Sequence, residues 1–212
     1  MTGRVFLAVA GNIGSGKTTL TRRLGQRLGL TALYEETDDN PYLADFYADM
    51  SRWAMALQLR FLAGRVAKTR ALLDHGVSAI QDRTCYEDAD IFAANLHHRG
   101  DMDARDWETY SLIAEQLLDG LAAPDLLVYL RRSPESCRRL IGTRGRDYEA
   151  AIPMDYLRDL GARYDAWFDG YRRGPKLRVD AEAHDFLHDD ADLDALVSRI
   201  VSELPQRPLP FG

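Results

Sequence analysis

The run Gly11-Asn12-Ile13-Gly14-Ser15-Gly16-Lys17-Thr18 matches the phosphate-loop pattern G-x-x-x-x-G-K-[ST] in full. Glycines at this spacing let the backbone curl until several N–H groups point at one anion. A helix opening at Lys17 adds its positive end to the same point. Lys17 then offers a cation to the β- and γ-phosphates of a nucleoside triphosphate, and Thr18 a hydroxyl to Mg²⁺. Contacts to ATP are expected over Gly11, Asn12, Ile13, Gly14, Ser15, Gly16, Lys17, Thr18 and Thr19. The pattern serves kinases, GTPases and motor ATPases alike, but the base-reading N-K-x-D of GTPases does not occur here.

The remaining chemistry concerns the acceptor. An alcohol needs a base before it attacks a phosphorus, whereas a phosphate acceptor is already ionised. Glu35 opens the run Glu35-Glu36-Thr37-Asp38-Asp39. Taken alone it reads as a solvated acid, although parallel sheets do gather ligands at such strand ends. Asp82-Arg83 ends a second apolar run, and an arginine beside developing negative charge is what phosphoryl transfer requires. Arg138-Arg139 and Arg144-Gly145-Arg146 straddle a helix end, where cations complement the negative dipole. In a kinase with this loop, the same arginines form a lid over the phosphates.

These residues need elements to hold them. Val5 to Ala10 is a continuous apolar run and predicts a buried parallel strand. After the glycine turn, Leu20, Leu24 and Leu28 give Lys17 to Leu28 helical spacing. Further strands are predicted at Thr31–Glu35, Val77–Gln81, Asp125–Leu130 and Lys176–Val179. One or two helices span Pro41 to His75, and others run from Glu87 to His97 and from Ala104 to Leu121. Ser133-Pro134-Glu135 opens a helix with cap, N1 proline and acid in order. Pro153 starts another helix, and Leu193–Leu204 closes the chain. The fold class expected is α/β, a five-stranded parallel sheet flanked by helices. One domain is expected over 1–212, with a lid at about 139–151 and a loose tail at 205–212.

Composition narrows the function. A net charge of −6 argues against wholesale nucleic-acid binding. No apolar run reaches the roughly 20 residues of a membrane span, and nothing at the amino terminus resembles a signal peptide. The compartment expected is the cytoplasm. Cys85 and Cys137 have no metal-ligand spacing and read as small buried hydrophobes.

Beyond the phosphate loop and Glu35, several pieces follow in order: Asn40-Pro41-Tyr42-Leu43, Phe46-Tyr47, Arg52-Trp53, Gln58 and Arg65. After them come Asp82-Arg83-Thr84-Cys85-Tyr86-Glu87-Asp88, Ile91-Phe92-Ala93, Arg144-Gly145-Arg146, Glu149 and Ile152-Pro153. Together they resemble the deoxynucleoside kinase family across nearly the whole chain, most of all its bacterial deoxyadenosine kinases. The resemblance implies a P-loop kinase fold with an arginine-rich lid, ATP as donor, Mg²⁺, and a deoxynucleoside acceptor. Deoxyadenosine is the substrate it favours, with deoxycytidine possible and deoxyguanosine the alternative. It implies Glu35 as general base (Glu36 adjoining), Lys17 and Arg83 as catalytic cations, and Thr18 and Asp82 toward Mg²⁺. Arg144 and Arg146 fall on the lid. Where the family has a further lid arginine, Leu140 stands here, so Arg139 substitutes or the contact is missing. Gln58, Arg65 and Asp88 would read the base, with Trp53, Phe92 and Leu57 around it. Tyr47 and Glu149 would hold the 3′-hydroxyl. The donor adenine is expected near Asp180 to His184, and a homodimer through the helices at 54–72 and 106–118. A nucleoside monophosphate kinase of thymidylate-kinase type, which has no use for a base, and a non-catalytic nucleotide switch are the competing readings.

Overall fold

The computed structural model describes residues 4–34, 40–146, 149, 151–186 and 188–204. Its strands are β1 (Phe6–Ala10), β2 (Thr31–Leu33), β3 (Ala79–Asp82), β4 (Leu126–Arg131) and β5 (Lys176–Asp180). They form one parallel sheet in the order β2-β3-β1-β4-β5. β1 is buried at every position, as its unbroken apolar run requires of a central parallel strand. The helices are α1 (Lys17–Leu28), α2 (Leu43–Ala48), α3 (Met50–His75), α4 (Cys85–Glu87), α5 (Ala94–Arg99), α6 (Ala104–Leu118), α7 (Pro134–Arg144), α8 (Met154–Gly170) and α9 (Asp190–Glu203). A π-helical turn, Asp88–Ala93, joins α4 to α5.

Side chains alternate across the sheet, so each strand feeds two cores. Leu7, Val9, Val128 and Leu130 point to one side and pack with Leu20 and Leu24 of α1 and Leu193, Leu196 and Ile200 of α9. Ala8, Ala10, Leu127 and Tyr129 point to the other, against residues of α3, α6 and α8. Burying one such leucine fully is worth about 1.5–3 kcal/mol, and Leu7, Leu20 and Leu24 are all fully buried.

Because the strands are parallel, their carboxyl ends share one edge. β1 delivers the glycine loop there, β3 delivers Asp82-Arg83, and β4 delivers Arg131-Arg132. From β1 the chain crosses past β3 to β2, and from β3 it crosses back past β1 to β4, so the connections at this edge reverse direction and make it the switch point of the sheet.

Two predicted elements differ in detail, and a third that was left open is decided. The stretch 41–75, read as one or two helices, is two, because Asp49 breaks it at φ −149° and its carboxylate accepts the Arg52 N–H at 3.1 Å. β3 starts at Ala79 and not at Val77. Val77 lies in solvent, and Ser78 spends its hydroxyl accepting the Val5 N–H at 3.1 Å. The predicted helix at 87–97 is α4, the π turn and α5 in succession.

Candidate active site

The glycine loop has the conformation its residues permit. Gly14 and Gly16 take φ of 74° and 97°, left-handed values that side chains resist. A Cβ on Gly14 would also sit 2.6 Å from the Cys137 carbonyl oxygen and from Ile141 Cγ1. Around this loop, Asn12 donates to the Leu157 carbonyl at 2.9 Å and Lys17 Nζ to the Asn12 carbonyl at 2.7 Å. Arg132 Nε donates to the Ser15 carbonyl at 3.0 Å. Sequence reasoning missed Arg132, which is distant in the chain and belongs to no motif.

Beside the loop, Thr18 Oγ1 donates to Asp82 Oδ2 at 2.5 Å. The other oxygen, Asp82 Oδ1, is buried with no hydrogen-bond partner in the structure, as is Ser15 Oγ. A hydroxyl and a carboxylate held together, with an orphaned oxygen, form the hard-oxygen donor set that Mg²⁺ prefers. The residues therefore fit the metal that the sequence implies.

From this edge a cleft runs inward, with about 860 Å³ of empty space. It brings together Ile13, Gly14, Lys17, Thr18, Tyr47, Leu57, Gln58, Asp82, Arg83, Asp88, Phe92, Arg144, Arg146 and Glu149, residues the sequence singled out on separate elements. Gln58 and Arg65 stand on the buried face of α3, as their spacing predicted. Arg65 lies behind the wall rather than in it. Its Nε donates to Asp88 Oδ2 at 2.7 Å, its Nη2 to Asp88 Oδ1 at 3.3 Å, and its Nη1 to the Asp82 carbonyl at 3.3 Å. Both partners are almost fully buried. The guanidinium thus fixes the Asp88 carboxylate as an acceptor. Next to it, Gln58 Oε1 is buried without a partner.

The lid arginines converge on one acid: Arg144 and Arg146 approach Glu149 Oε1 at 3.4 and 3.5 Å. Arg139 does not join the cleft and donates to Ser136 Oγ at 2.6 Å. Trp53 is also outside the cleft lining. It is half-buried and packs on Tyr42, ring centroids 5.7 Å apart. Gly11, Asn12, Ser15, Gly16 and Thr19 belong to the loop and the start of α1 but do not line the cleft. Glu35, the expected base, and Glu36 lie outside the described residues. Phe61 and Tyr156 line the cleft without having been singled out, and Leu43 and Phe46, quoted only within the matching pieces and given no role, line it too. Phe61 was within reach, since it follows Leu57 and Gln58 by one helical turn.

On the donor side, Glu182 accepts Ser133 N–H at 2.9 Å, Ser133 Oγ at 2.7 Å and Ser136 Oγ at 3.0 Å. Those hydrogen bonds, led by the Ser133 hydroxyl, hold its carboxyl down from 4.5 to about 2. They staple the loop after β5 to the start of α7. Both cysteines are free and buried, and burial pushes the Cys85 thiol up to about 12 and the Cys137 thiol up to about 11.

A glycine loop built to cradle phosphate, a hydroxyl–carboxylate pair beside it and a part-apolar cleft running inward from both define a P-loop phosphotransferase with a small organic acceptor. Comparison with known proteins narrows the class. The deoxynucleoside kinase family model matches residues 7–204. A deoxyadenosine/deoxycytidine kinase of Bacillus subtilis is 36% identical over 199 residues, 93% of this chain and 92% of that protein. A deoxyguanosine kinase of Lactobacillus acidophilus is 32% identical over 209 residues, 94% and 91% of the two chains. The solved structure of a deoxyadenosine kinase from M. mycoides with bound dATP superposes with a TM-score of 0.83 at 25% identity, covering 93% of this chain and all of that one. The chain belongs to the deoxynucleoside kinase family and is a phosphotransferase with the P-loop kinase fold.

Proposed function

We propose that this enzyme transfers the γ-phosphoryl group of ATP to the 5′-hydroxyl of deoxyadenosine, with deoxycytidine a second substrate, in nucleotide salvage in the cytoplasm. The observation that carries the choice of base is the buried Arg65–Asp88 pair beside Gln58. An aspartate fixed as acceptor suits an exocyclic amine, and a side-chain amide can pair with the donor and acceptor next to it. Adenine and cytosine both present that amine. The names of the relatives from B. subtilis and M. mycoides agree with the assignment.

In this reading Phe92 and Leu57 pack on the base, and Tyr47 and Glu149 hold the 3′-hydroxyl, with Tyr47 crowding the 2′ position. Trp53 flanks the base from behind Tyr42. Glu35 takes the proton of the 5′-hydroxyl. Lys17 and the loop amides of residues 11–18 hold the donor phosphates, with Thr19 behind them at the start of α1. Arg83 steadies the transferring group, and Arg144 and Arg146 close over it within one 1–212 domain. Thr18 and Asp82 would hold Mg²⁺, which neutralises phosphate charge when bound. We further propose a homodimer through the outer faces of α3 and α6, where Leu112 and Ile113 are exposed. Among the described residues, no helix is long and apolar enough to cross a membrane.

The test is an ADP-release assay with ATP–Mg²⁺ and each deoxynucleoside, with adenosine and deoxyadenosine monophosphate alongside. Turnover with deoxyadenosine and little with adenosine is the expected result. Preference for deoxyguanosine would reassign the base, and turnover of the monophosphate alone would remove Glu35 from its role.

A further inference from the structure

Arg83 is the only non-glycine residue with positive φ among those described, at 70°. A side chain in that region is strained and persists only where its surroundings over-determine it. The surroundings here are specific. The Arg83 N–H donates to the Val9 carbonyl at 2.9 Å, which pins the backbone to β1. Its Nη1 donates to the Tyr164 hydroxyl and stands 3.5 Å from Glu87 Oε1. Its guanidinium carbon lies 4.3 Å from the centre of the Phe92 ring.

Glu87 is fully buried. It accepts from Thr84 N at 2.7 Å, Thr84 Oγ1 at 3.1 Å and the Tyr164 hydroxyl at 2.8 Å. Tyr164 is fully buried too. Its ring stacks on Tyr129 at 5.8 Å and meets Phe92 edge-on at 6.2 Å. The hydroxyl therefore has one position, between carboxylate and guanidinium. We propose that Tyr164 and Glu87 are positioning residues that hold the Arg83 guanidinium at the phosphoryl-transfer point before substrate binds.

Stability does not account for the arrangement. A buried ion pair adds little net stability over an apolar replacement, and the left-handed backbone subtracts from it. Arg83 also lines the cleft, together with Lys17 and Asp82. A free arginine side chain spreads over many rotamers. Fixing it in advance removes the cost of ordering it from the reaction step and makes its charge a preorganised one.

This inference rests on the role given to Arg83 above, and the test separates the two. Tyr164→Phe removes one hydroxyl and keeps the ring packing. In the full chain, with ATP–Mg²⁺ and the preferred deoxynucleoside, kcat is expected to fall about tenfold to a hundredfold while KM moves less than about threefold. Tyr129→Phe, which removes a hydroxyl bonded to Asp165 in the same stack, is the control and leaves kcat unchanged. In an Arg83→Ala background, Tyr164→Phe should add less than about threefold, since its target is gone. Glu87→Gln, which removes the charge but keeps the shape, gives a second route if Tyr164→Phe folds poorly, and should show the same kcat loss and the same non-additivity. Unchanged kcat in both variants, or full additivity with Arg83→Ala, overturns the proposal and leaves Arg83 in its role. Unchanged kcat in Arg83→Ala itself removes Arg83 from the reaction and this inference with it.

Discussion

Asp88 gives both carboxylate oxygens to one guanidinium, so its removal acts twice. Asp88→Ala takes away the acceptor proposed for the base and leaves Arg65 buried without its carboxylate. Breaking one side of a buried pair typically costs about 3–5 kcal/mol of stability, which a urea titration would read. The nucleoside KM is expected to rise about tenfold or more, while ATP affinity, set at the glycine loop, stays within about twofold. An unchanged KM would remove Asp88 from base reading. Glu182 offers a prediction in pH. Its folded pKa of about 2 lies below its ordinary 4.5, so the unfolded chain binds more protons between these values. Its contribution is present above pH 4.5 and is lost as pH falls toward 2. In Glu182→Gln that part of the acid limb disappears, so melting temperatures of the two proteins should converge as pH drops through this window.

At the scale of elements, the π turn decides how this wall of the cleft is presented. Asp88 and Phe92 sit at its two ends, both buried and both lining the cleft. π turns act as one-residue insertions in helices and gather at functional sites. Deleting Ala89 should restore α-helical winding, rotate Phe92 off the cleft and weaken nucleoside binding at least about tenfold, while ATP binding is retained. Calorimetry with each ligand separately checks both halves. The turn was invisible in the sequence because six residues are too few to tell a period of 4.4 from one of 3.6. The break at Asp49 was hidden similarly, since an aspartate within apolar periodicity reads equally as a solvated position. The strands were legible for the opposite reason. The apolar runs of β1 and β4 are short, bounded and buried on both faces, and β1 matches its expected span to one residue. The cleft divides along the same line. Lys17, Thr18, Asp82 and Arg83 carry local signatures, whereas Tyr164 reaches Arg83 across 81 residues of chain and has none.

For the molecule as a whole, one edge of the sheet gathers the phosphate loop, the acid and the arginines, while α6 leaves apolar side chains exposed elsewhere. Leu112 is 59% exposed on α6, next to Ile113. Leu112→Glu should shift the protein from dimer to monomer in light scattering at micromolar concentration, with the melting temperature of the monomer as a second reading. A wild type that is monomeric at that concentration would end the dimer proposal. The two sulfhydryls add something practical. Each is buried, and each would hold its proton at neutral pH. The native chain is therefore a nearly blank background for maleimide chemistry. A single cysteine placed at Thr143, exposed near the end of α7, would be the one fast-reacting position, so a fluorophore there could report ligand binding near Arg144 and Arg146 without first stripping the protein of its own thiols.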